Sequence, residues 1–204
     1  ACQLTIDKGG KEAPWGFTRA VIRVAANIAY EDAQAAIDGT APHELLEPAL
    51  KPLWACWHKM AKARTARAPL ELDLPERRVV LDDAGKIVSV AVRERLDAHR
   101  LIEDYMIAAN VAAAKALETK KAPVMYRVHE PPSREKLVAL KDYLATFDIS
   151  FALGQVIKPA TFNRLIAQTG EHEFRAQIME QILRSQTQAY YAPQNAGHFG
   201  LALG

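Results

Sequence analysis

The stretch from 97 to 118 holds the densest set of side chains that could do chemistry. Its sequence is DAHRLIEDYMIAANVAAAKALE, with His99 and Glu103 four residues apart. Residues at i and i+4 are neighbours on a helix, so this imidazole and this carboxylate can pair. On spacing alone, surface electrostatics is the favoured interpretation, and a ligand-binding carboxylate is the alternative.

Two other charged groups are weaker candidates for a site. Asp82 and Asp83 could help to hold a cation, but they precede Ala84-Gly85 between two predicted strands, which favours a hairpin turn. The basic residues between Lys59 and Arg67 could contact phosphates, although cations also suit a helix C-terminus. The sequence contains no phosphate-binding glycine loop, no Cys/His zinc spacing and no nucleophilic serine elbow.

Tyr30 is an aromatic residue at a predicted strand-to-helix junction, directly after Asn27-Ile28-Ala29. An aromatic side chain in such a place usually fills the edge of a core. Stacking on a base or contacting a ribose is the alternative interpretation.

The helix that must position His99 and Glu103 is predicted over 97–118. Apolar positions recur on it in two rows, which leaves little room for a solvated face and predicts burial nearly all round. These rows run through Ile102, Met106, Ala109, Ala113 and Ala116, and through Leu101, Tyr105, Ala108 and Ala112. Asn110 falls in this apolar stretch, and a buried amide must be hydrogen-bonded, so we expect it to tie the helix to neighbouring backbone.

The remaining elements predict an α+β fold, with small mixed or antiparallel sheet pieces packed by several helices around a buried central helix. Strands are predicted at 1–8, 18–24, 78–81, 87–92, 124–129 and 199–203, the first two forming a hairpin. Helices are predicted at 30–37, within 43–68, from a cap at Ser133, and at 161–168 and 173–186.

The composition indicates a soluble globular domain. The chain has 204 residues, of which 50% are hydrophobic and 25% charged, and its net charge of +2 permits nucleic-acid binding without arguing for it. Cys2 and Cys56 have no partner pattern, which suggests a reducing compartment and hence the cytoplasm. We expect no signal peptide, and the longest apolar run of the sequence is too short to cross a bilayer.

Five long motifs follow one another along the chain. They are TRAVIRVAANIAYEDAQAAI at 18–37, LELDLPE at 70–76, HRLIEDYMIAANVAAAKALE at 99–118, YRVHEPPSREKLVALKDYL at 126–144 and LRSQTQAYYAPQNAGHFGLAL at 183–203. In sequence and in order they resemble the ribonuclease II / ribonuclease R family of 3′→5′ exoribonucleases, and the ribonuclease R branch in particular. The resemblance covers essentially the whole chain.

The resemblance implies an RNB-type catalytic domain that degrades single-stranded RNA processively to nucleoside 5′-monophosphates. In that family, a cluster of aspartates holds Mg²⁺, which activates water, and an arginine stabilises the transition state. By the same resemblance, the aspartates should precede residue 1, and a Ser-Pro-Ile-Arg-Arg segment should follow Gly204. We therefore expect 1–204 to be one partial domain, truncated at both ends, with no catalytic or metal-binding residue, no cofactor of its own and no activity alone.

Two RNA-binding positions carry over by motif. Tyr30, in AYEDA, matches a family tyrosine that contacts the 3′-terminal nucleotides, and Glu103, in LIED, matches a family glutamate that helps to distinguish ribose from deoxyribose. A carboxylate can accept a hydrogen bond from a 2′-hydroxyl, which DNA lacks. A third family position, a base-stacking aromatic, falls near Leu72, which is aliphatic here.

A non-catalytic RNA-binding or scaffold protein built on the same domain is the alternative function. The two are distinguished by the presence or absence of the flanking aspartates and the Ser-Pro-Ile-Arg segment. For the 204-residue chain alone, we also expect exposed sheet edges and self-association.

Overall fold

The computed structural model describes residues 1–72, 74, 76–154 and 156–204, so Asp73 and Pro75 of the LELDLPE motif lie outside the described residues. The chain divides into two compact units. The first comprises Ala1–Ala66 and Arg77–Ala122, and the second comprises Arg67–Glu76 and Pro123–Gly204. In the part of the chain that the structure describes, no helix is both long and apolar enough to cross a membrane.

Hairpins and helices alternate through the first unit. Its elements are β1 (Cys2–Ile6), β2 (Glu12–Phe17), α1 (Tyr30–Ile37), a π-helical turn (Leu46–Leu50) that runs into α2 (Lys51–Arg67), β3 (Glu76–Leu81), β4 (Ile87–Arg93) and α3 (Asp97–Thr119). The helix predicted at 30–37 is confirmed at both ends. The strands predicted at 78–81 and 87–92 are confirmed within two residues at each end.

The prediction that 18–24 pairs with the first strand was wrong. β1 pairs instead with β2, in a register that sets Cys2 opposite Phe17 and Leu4 opposite Trp15. Asp7 closes the loop early, because its Oδ1 accepts the N–H groups of Gly9 and Lys11, each at 2.8 Å. The first residues after this tight loop become the partner strand, so 18–24 continues past the sheet as exposed, irregular chain.

Helix α3 packs along one face, so the prediction of burial nearly all round was wrong. Leu101, Asp104, Ala108 and Ala112 are buried, whereas Met106 is 60% exposed and Asn110 is exposed. The row through Leu101, Ala108 and Ala112 therefore faces the core, and the row through Ile102 and Met106 faces solvent although it is apolar. The first-unit core consists of Ala33, Ala36, Leu50, Trp54, Trp57, Ala98 and Leu101.

The second unit is mainly helical. It contains β5 (Tyr126–Val128), α4 (Arg134–Ala145), α5 (Pro159–Thr169), α6 (Arg175–Ser185), β6 (Tyr190–Ala192) and a 3₁₀ turn (Phe199–Leu201). The predicted cap is confirmed, since Ser133 Oγ accepts the Lys136 N–H at 3.3 Å. The core comprises Leu137, Leu140, Leu144, Phe151, Phe162, Leu165, Ile166, Ile178, Met179 and Ile182.

The prediction of a strand at 199–203 was wrong, and the strand in this part of the chain is β6, which lies earlier. β6 pairs antiparallel with β5, with Val128 opposite Tyr190. The later segment closes on itself, because His198 N–H donates to the Leu203 carbonyl at 2.6 Å and Ala202 adopts a left-handed φ of 51°. The α+β class itself is confirmed by two-stranded sheets and packed helices in the described chain.

Candidate functional site

Tyr30 lies against the first turn of α3. Its ring stacks on the imidazole of His99, with ring centroids 4.2 Å apart and planes inclined by 27°. The two helices are joined beside this contact, because the Ala98 N–H donates to Gln34 Oε1 at 3.0 Å. Tyr30 is 39% exposed, so a large part of its ring faces solvent.

The imidazole of His99 is held from a second direction. Its Nδ1 accepts the backbone N–H of Leu96 at 3.2 Å, which supplies a partner for one of the free donors at the start of α3. A nitrogen that accepts a hydrogen bond carries no proton, so the neutral ring holds its proton on Nε2. His99 is therefore fixed both in place and in tautomer.

Glu103 stands one helical turn after His99, and its partner is Arg95. The Arg95 Nη2 donates to Glu103 Oε2, and the two side chains are 42% and 43% exposed. Ion pairs this exposed contribute about 0–1 kcal/mol, so a ligand can displace or share this one at little cost. Helical spacing predicted His99 as the neighbour of Glu103. The structure shows that its ion-pair partner is Arg95, eight residues earlier in the sequence.

Asp104 is a buried carboxylate whose role was not predicted from the sequence. Trp57 Nε1 donates to its Oδ2 at 2.8 Å, Arg64 Nε lies 3.7 Å from its Oδ1, and its side chain is 7% exposed. These contacts fix the rotation of α3 about its axis, which turns the neighbouring Glu103 outward. The available signal was an acid within a row of apolar residues, but α2 carries both Trp54 and Trp57, and the sequence did not indicate which of them is its partner.

Tyr105 joins α3 to α2 and is a structural hydrogen-bond donor. Its hydroxyl donates to the Leu53 carbonyl at 3.1 Å. Burial raises the pKa of Tyr105 well above its ordinary value, and the neighbouring Cys56 thiol raises it further. The phenol therefore stays protonated and acts as a donor rather than as a base.

The remaining sequence candidates are structural. Asp82 Oδ1 accepts the N–H groups of Ala84 and Lys86 at 3.0 and 2.8 Å, which confirms the hairpin turn. Arg67, at the end of the basic run, donates through Nε to the Leu201 carbonyl at 3.0 Å within the second unit. Leu72 packs against the core of that unit. Among the described residues, no three His, Cys, Asp or Glu side chains are grouped so that they could hold a metal ion.

The second unit also contains a pair of histidines in contact, which was not predicted from the sequence. The rings of His129 and His198 meet edge to face with centroids 5.0 Å apart. The Nδ1 of His129 accepts the Gly200 N–H at 2.9 Å, and the Nδ1 of His198 accepts the Leu201 N–H at 3.2 Å. Their separation of 69 positions in the sequence hid the pairing.

Comparison with known proteins gives matches along the whole chain. The RNB domain model matches residues 1–204. Ribonuclease R of Vibrio cholerae serotype O1 is 34% identical over 206 residues, which cover 99% of this chain and 25% of that protein. This chain therefore spans about a quarter of the length of that curated relative.

Two solved structures share the fold. Mycoplasma genitalium RNase R, in complex with ribose methylated single-stranded RNA, matches with a TM-score of 0.88 and 21% identity, over 99% of this chain and 32% of that chain. Yeast Ssd1, a pseudonuclease, matches with a TM-score of 0.63 and 15% identity, over 100% of this chain and 26% of that chain.

Proposed function

The chain belongs to the RNB-domain family, and we propose that it is the middle part of the catalytic domain of a 3′→5′ exoribonuclease. The complete enzyme degrades single-stranded RNA processively to nucleoside 5′-monophosphates. The observation that carries this proposal is the arrangement at the start of α3, where Tyr30 stacks on His99 and Glu103 lies one helical turn after His99. Both side chains are half-exposed and accessible to a ligand.

The chemistry of this arrangement suits the 3′ end of an RNA strand. An exposed phenol ring offers a face on which a base can stack, a contact that accepts every base. The Glu103 carboxylate offers an acceptor for a 2′-hydroxyl, which only RNA presents. The Mycoplasma genitalium relative was solved in complex with ribose methylated single-stranded RNA, which supports a single-stranded RNA partner for this chain.

We assign these residues to binding and leave hydrolysis to other parts of the protein. In the complete enzyme, Mg²⁺ would supply activation of water and stabilisation of the leaving oxygen. The described residues contain no group of carboxylates arranged to hold that ion. The 204-residue chain is therefore proposed to be inactive alone, with the metal-binding aspartates and the catalytic arginine contributed from outside it. We place the protein in the cytoplasm because Cys2 and Cys56 are both free thiols.

A magnesium-dependent degradation assay tests the proposal. It compares the isolated chain with a longer protein that carries the chain together with the adjoining segments of the parent gene. We expect the longer protein to shorten 3′ ends of single-stranded RNA and the isolated chain to leave them intact. Degradation by the isolated chain would contradict the proposal that this chain binds RNA and that hydrolysis requires other parts of the protein.

Glu103→Ala in the longer protein tests the site itself. Loss of a hydrogen bond to a charged acceptor costs about 1.5–3 kcal/mol, so the preference for RNA over DNA 3′ ends should fall by roughly tenfold or more. Glu180→Ala is the matched control, because Glu180 is also an exposed glutamate paired with an arginine, Arg184, four residues away. An unchanged RNA preference in the Glu103 variant would refute the assignment.

A non-catalytic RNA-binding or scaffold protein is the second candidate. The fold likeness to yeast Ssd1, which is described as a pseudonuclease, favours keeping it. The degradation assay separates the two candidates, because a scaffold would bind RNA and leave its 3′ end intact even in the longer protein.

A further inference from the structure

We propose that His99 is a positioning residue that holds Tyr30 as a base platform, so that His99, Tyr30 and the terminal base form a three-layer stack. This inference rests on the proposed function. It assigns a role in RNA recognition to a side chain that does not itself touch RNA.

The stack leaves one face of Tyr30 for a ligand. At a centroid distance of 4.2 Å and an inclination of 27°, the imidazole covers one face of the phenol ring. Tyr30 is 39% exposed, and we infer that a base reaches it on the face turned away from His99. A base can stack only where the face is open, so the position of His99 decides which side of Tyr30 receives RNA.

A platform must also be rigid, and His99 supplies that rigidity. Its ring is anchored to the backbone through the Leu96 N–H at 3.2 Å, so it cannot rotate without losing a hydrogen bond. The bond between Ala98 and Gln34 fixes the two helices beside the stack at 3.0 Å. Less ordering is then required of Tyr30 when RNA binds, and preorganisation of this kind increases affinity.

His99 also sets the spacing between the platform and Glu103. The two residues are one turn apart on the same face of α3, and that turn is continuous helix. Stacking and 2′-hydroxyl recognition are thereby placed on a single rigid element. A shift of the imidazole would move the platform relative to the carboxylate.

Two substitutions separate the two contacts of His99. In His99→Asn, the side-chain Oδ1 can still accept the Leu96 N–H, but the ring that covers Tyr30 is gone. In His99→Phe, the ring remains and the hydrogen bond is lost. We expect His99→Asn to weaken RNA binding by about fivefold to tenfold, as for a reduced stacking contact. His99→Phe should weaken it by only about twofold, because the ring that covers Tyr30 stays and only its anchor is lost.

Binding is measured by the fluorescence anisotropy of a 5′-labelled oligoadenylate of about ten nucleotides, without Mg²⁺, on the longer protein. Circular dichroism checks the fold of each variant. A purely structural role at the helix start predicts the reverse order, with His99→Phe weaker than His99→Asn, and that order would overturn the inference. If His99→Asn fails to fold, His99→Phe decides, because near-parental binding supports the stack and a loss beyond about fivefold refutes it.

His172→Asn is the matched control, since it removes a ring contact in the second unit and leaves an oxygen that can still accept the backbone N–H. There, Nδ1 accepts the Phe174 N–H at 3.1 Å and the ring meets Phe147 at 5.9 Å. We expect it to bind RNA like the parent.

Tyr30→Ala separates this inference from the proposed function. If Tyr30→Ala and Glu103→Ala both leave RNA binding and RNA preference unchanged, both proposals fail. If Tyr30→Ala weakens binding and His99→Asn does not, only the positioning role of His99 fails. If His99→Asn has no further effect in a Tyr30→Ala background, the two residues act through one contact, as proposed.

Discussion

Glu103 and Asp104 are consecutive acids on α3 with opposite surroundings. Successive helical residues point about 100° apart, so one acid faces solvent and the other faces the core. Glu103 is 43% exposed and pairs with Arg95, whereas Asp104 is 7% exposed and accepts the Trp57 indole N–H. The buried acid therefore holds the helix, and the exposed acid is available to a ligand.

Asp104→Ala should destabilise the chain strongly. It leaves the buried Trp57 Nε1–H without its acceptor and the Arg64 guanidinium without its nearby carboxylate. Breaking a buried, hydrogen-bonded charge pair costs about 3–5 kcal/mol, and we expect a fall of about 2–4 kcal/mol in the free energy of unfolding because Arg64 is partly exposed. Urea denaturation followed by tryptophan fluorescence measures it.

Asp97→Ala is the control for this prediction. Asp97 pairs with Arg100 on the same helix, but both side chains are substantially exposed. The expected change is within about 0.5 kcal/mol. Equal losses in the two variants would show that burial of Asp104 does not determine its contribution.

At the scale of elements, histidines tie the β5–β6 sheet to the turn that follows it. The His129 N–H donates to the Gly197 carbonyl at 3.1 Å, and its own carbonyl accepts the Phe199 N–H at 2.7 Å. The imidazoles of His129 and His198 add their Nδ1 bonds to the backbone of the same turn. Each ring can accept such a bond only while its Nδ1 is unprotonated.

The hydrogen bonds that hold this turn should contribute less to stability at acidic pH. Burial, followed by the influence of His129 and Arg127, lowers the pKa of His198 below its ordinary value of 6.5. In the unfolded chain, His198 then binds a proton more readily than in the folded chain. The contribution of neutral His198 to the free energy of unfolding is therefore complete above about pH 6.5 and is lost as the pH falls below it. We expect a lower free energy of unfolding at about pH 5.5 than at about pH 7.5.

His198→Asn should reduce that pH dependence, because its Oδ1 can accept the Leu201 N–H without titrating. His58→Asn, on the exposed face of α2, is the control and should keep the parental dependence. Urea unfolding of the three proteins at both pH values provides the measurement. A parental pH dependence in His198→Asn would refute the role of His198.

Local sequence patterns predicted where helices and strands lie better than they predicted which of these elements pair or pack together. Tyr30–Ile37 and the Ser133 cap follow from nearby residues, and both are confirmed. The partner of β1 depended on where the loop at Asp7 closes, which strand propensity does not contain. The buried face of α3 was ambiguous because its alanines fit a core or a surface, and the contact between Asp104 and Trp57 spans 47 residues.

The candidate site was predicted in part. The resemblance selected Tyr30 and Glu103, and helical spacing brought His99 beside Glu103. The stacking of His99 on Tyr30 required the packing of α1 against α3, which periodicity does not specify. Arg95 lies in the segment before α3, where no period relates it to Glu103.

At the scale of the molecule, each compact unit has its own core, but the first unit also exposes a large apolar surface. The β3–β4 hairpin is a two-stranded sheet within the described chain. Its exposed apolar residues are Val79, Leu81, Ile87, Val88, Val90 and Val92. Unpaired strand edges with exposed β-branched residues are a template for pairing with another chain.

We therefore expect the isolated chain to self-associate through this hairpin. Sedimentation velocity across a hundredfold range of concentration should show a rising mean mass. The double variant Val88→Thr, Val90→Thr should shift association to at least about tenfold higher concentration, because threonine keeps strand propensity and reduces the apolar area. Val21→Thr is the control, since Val21 is fully exposed but lies outside the strands. A monomer at every concentration, or equal association of the double variant and the parent, would exclude the hairpin as the contact.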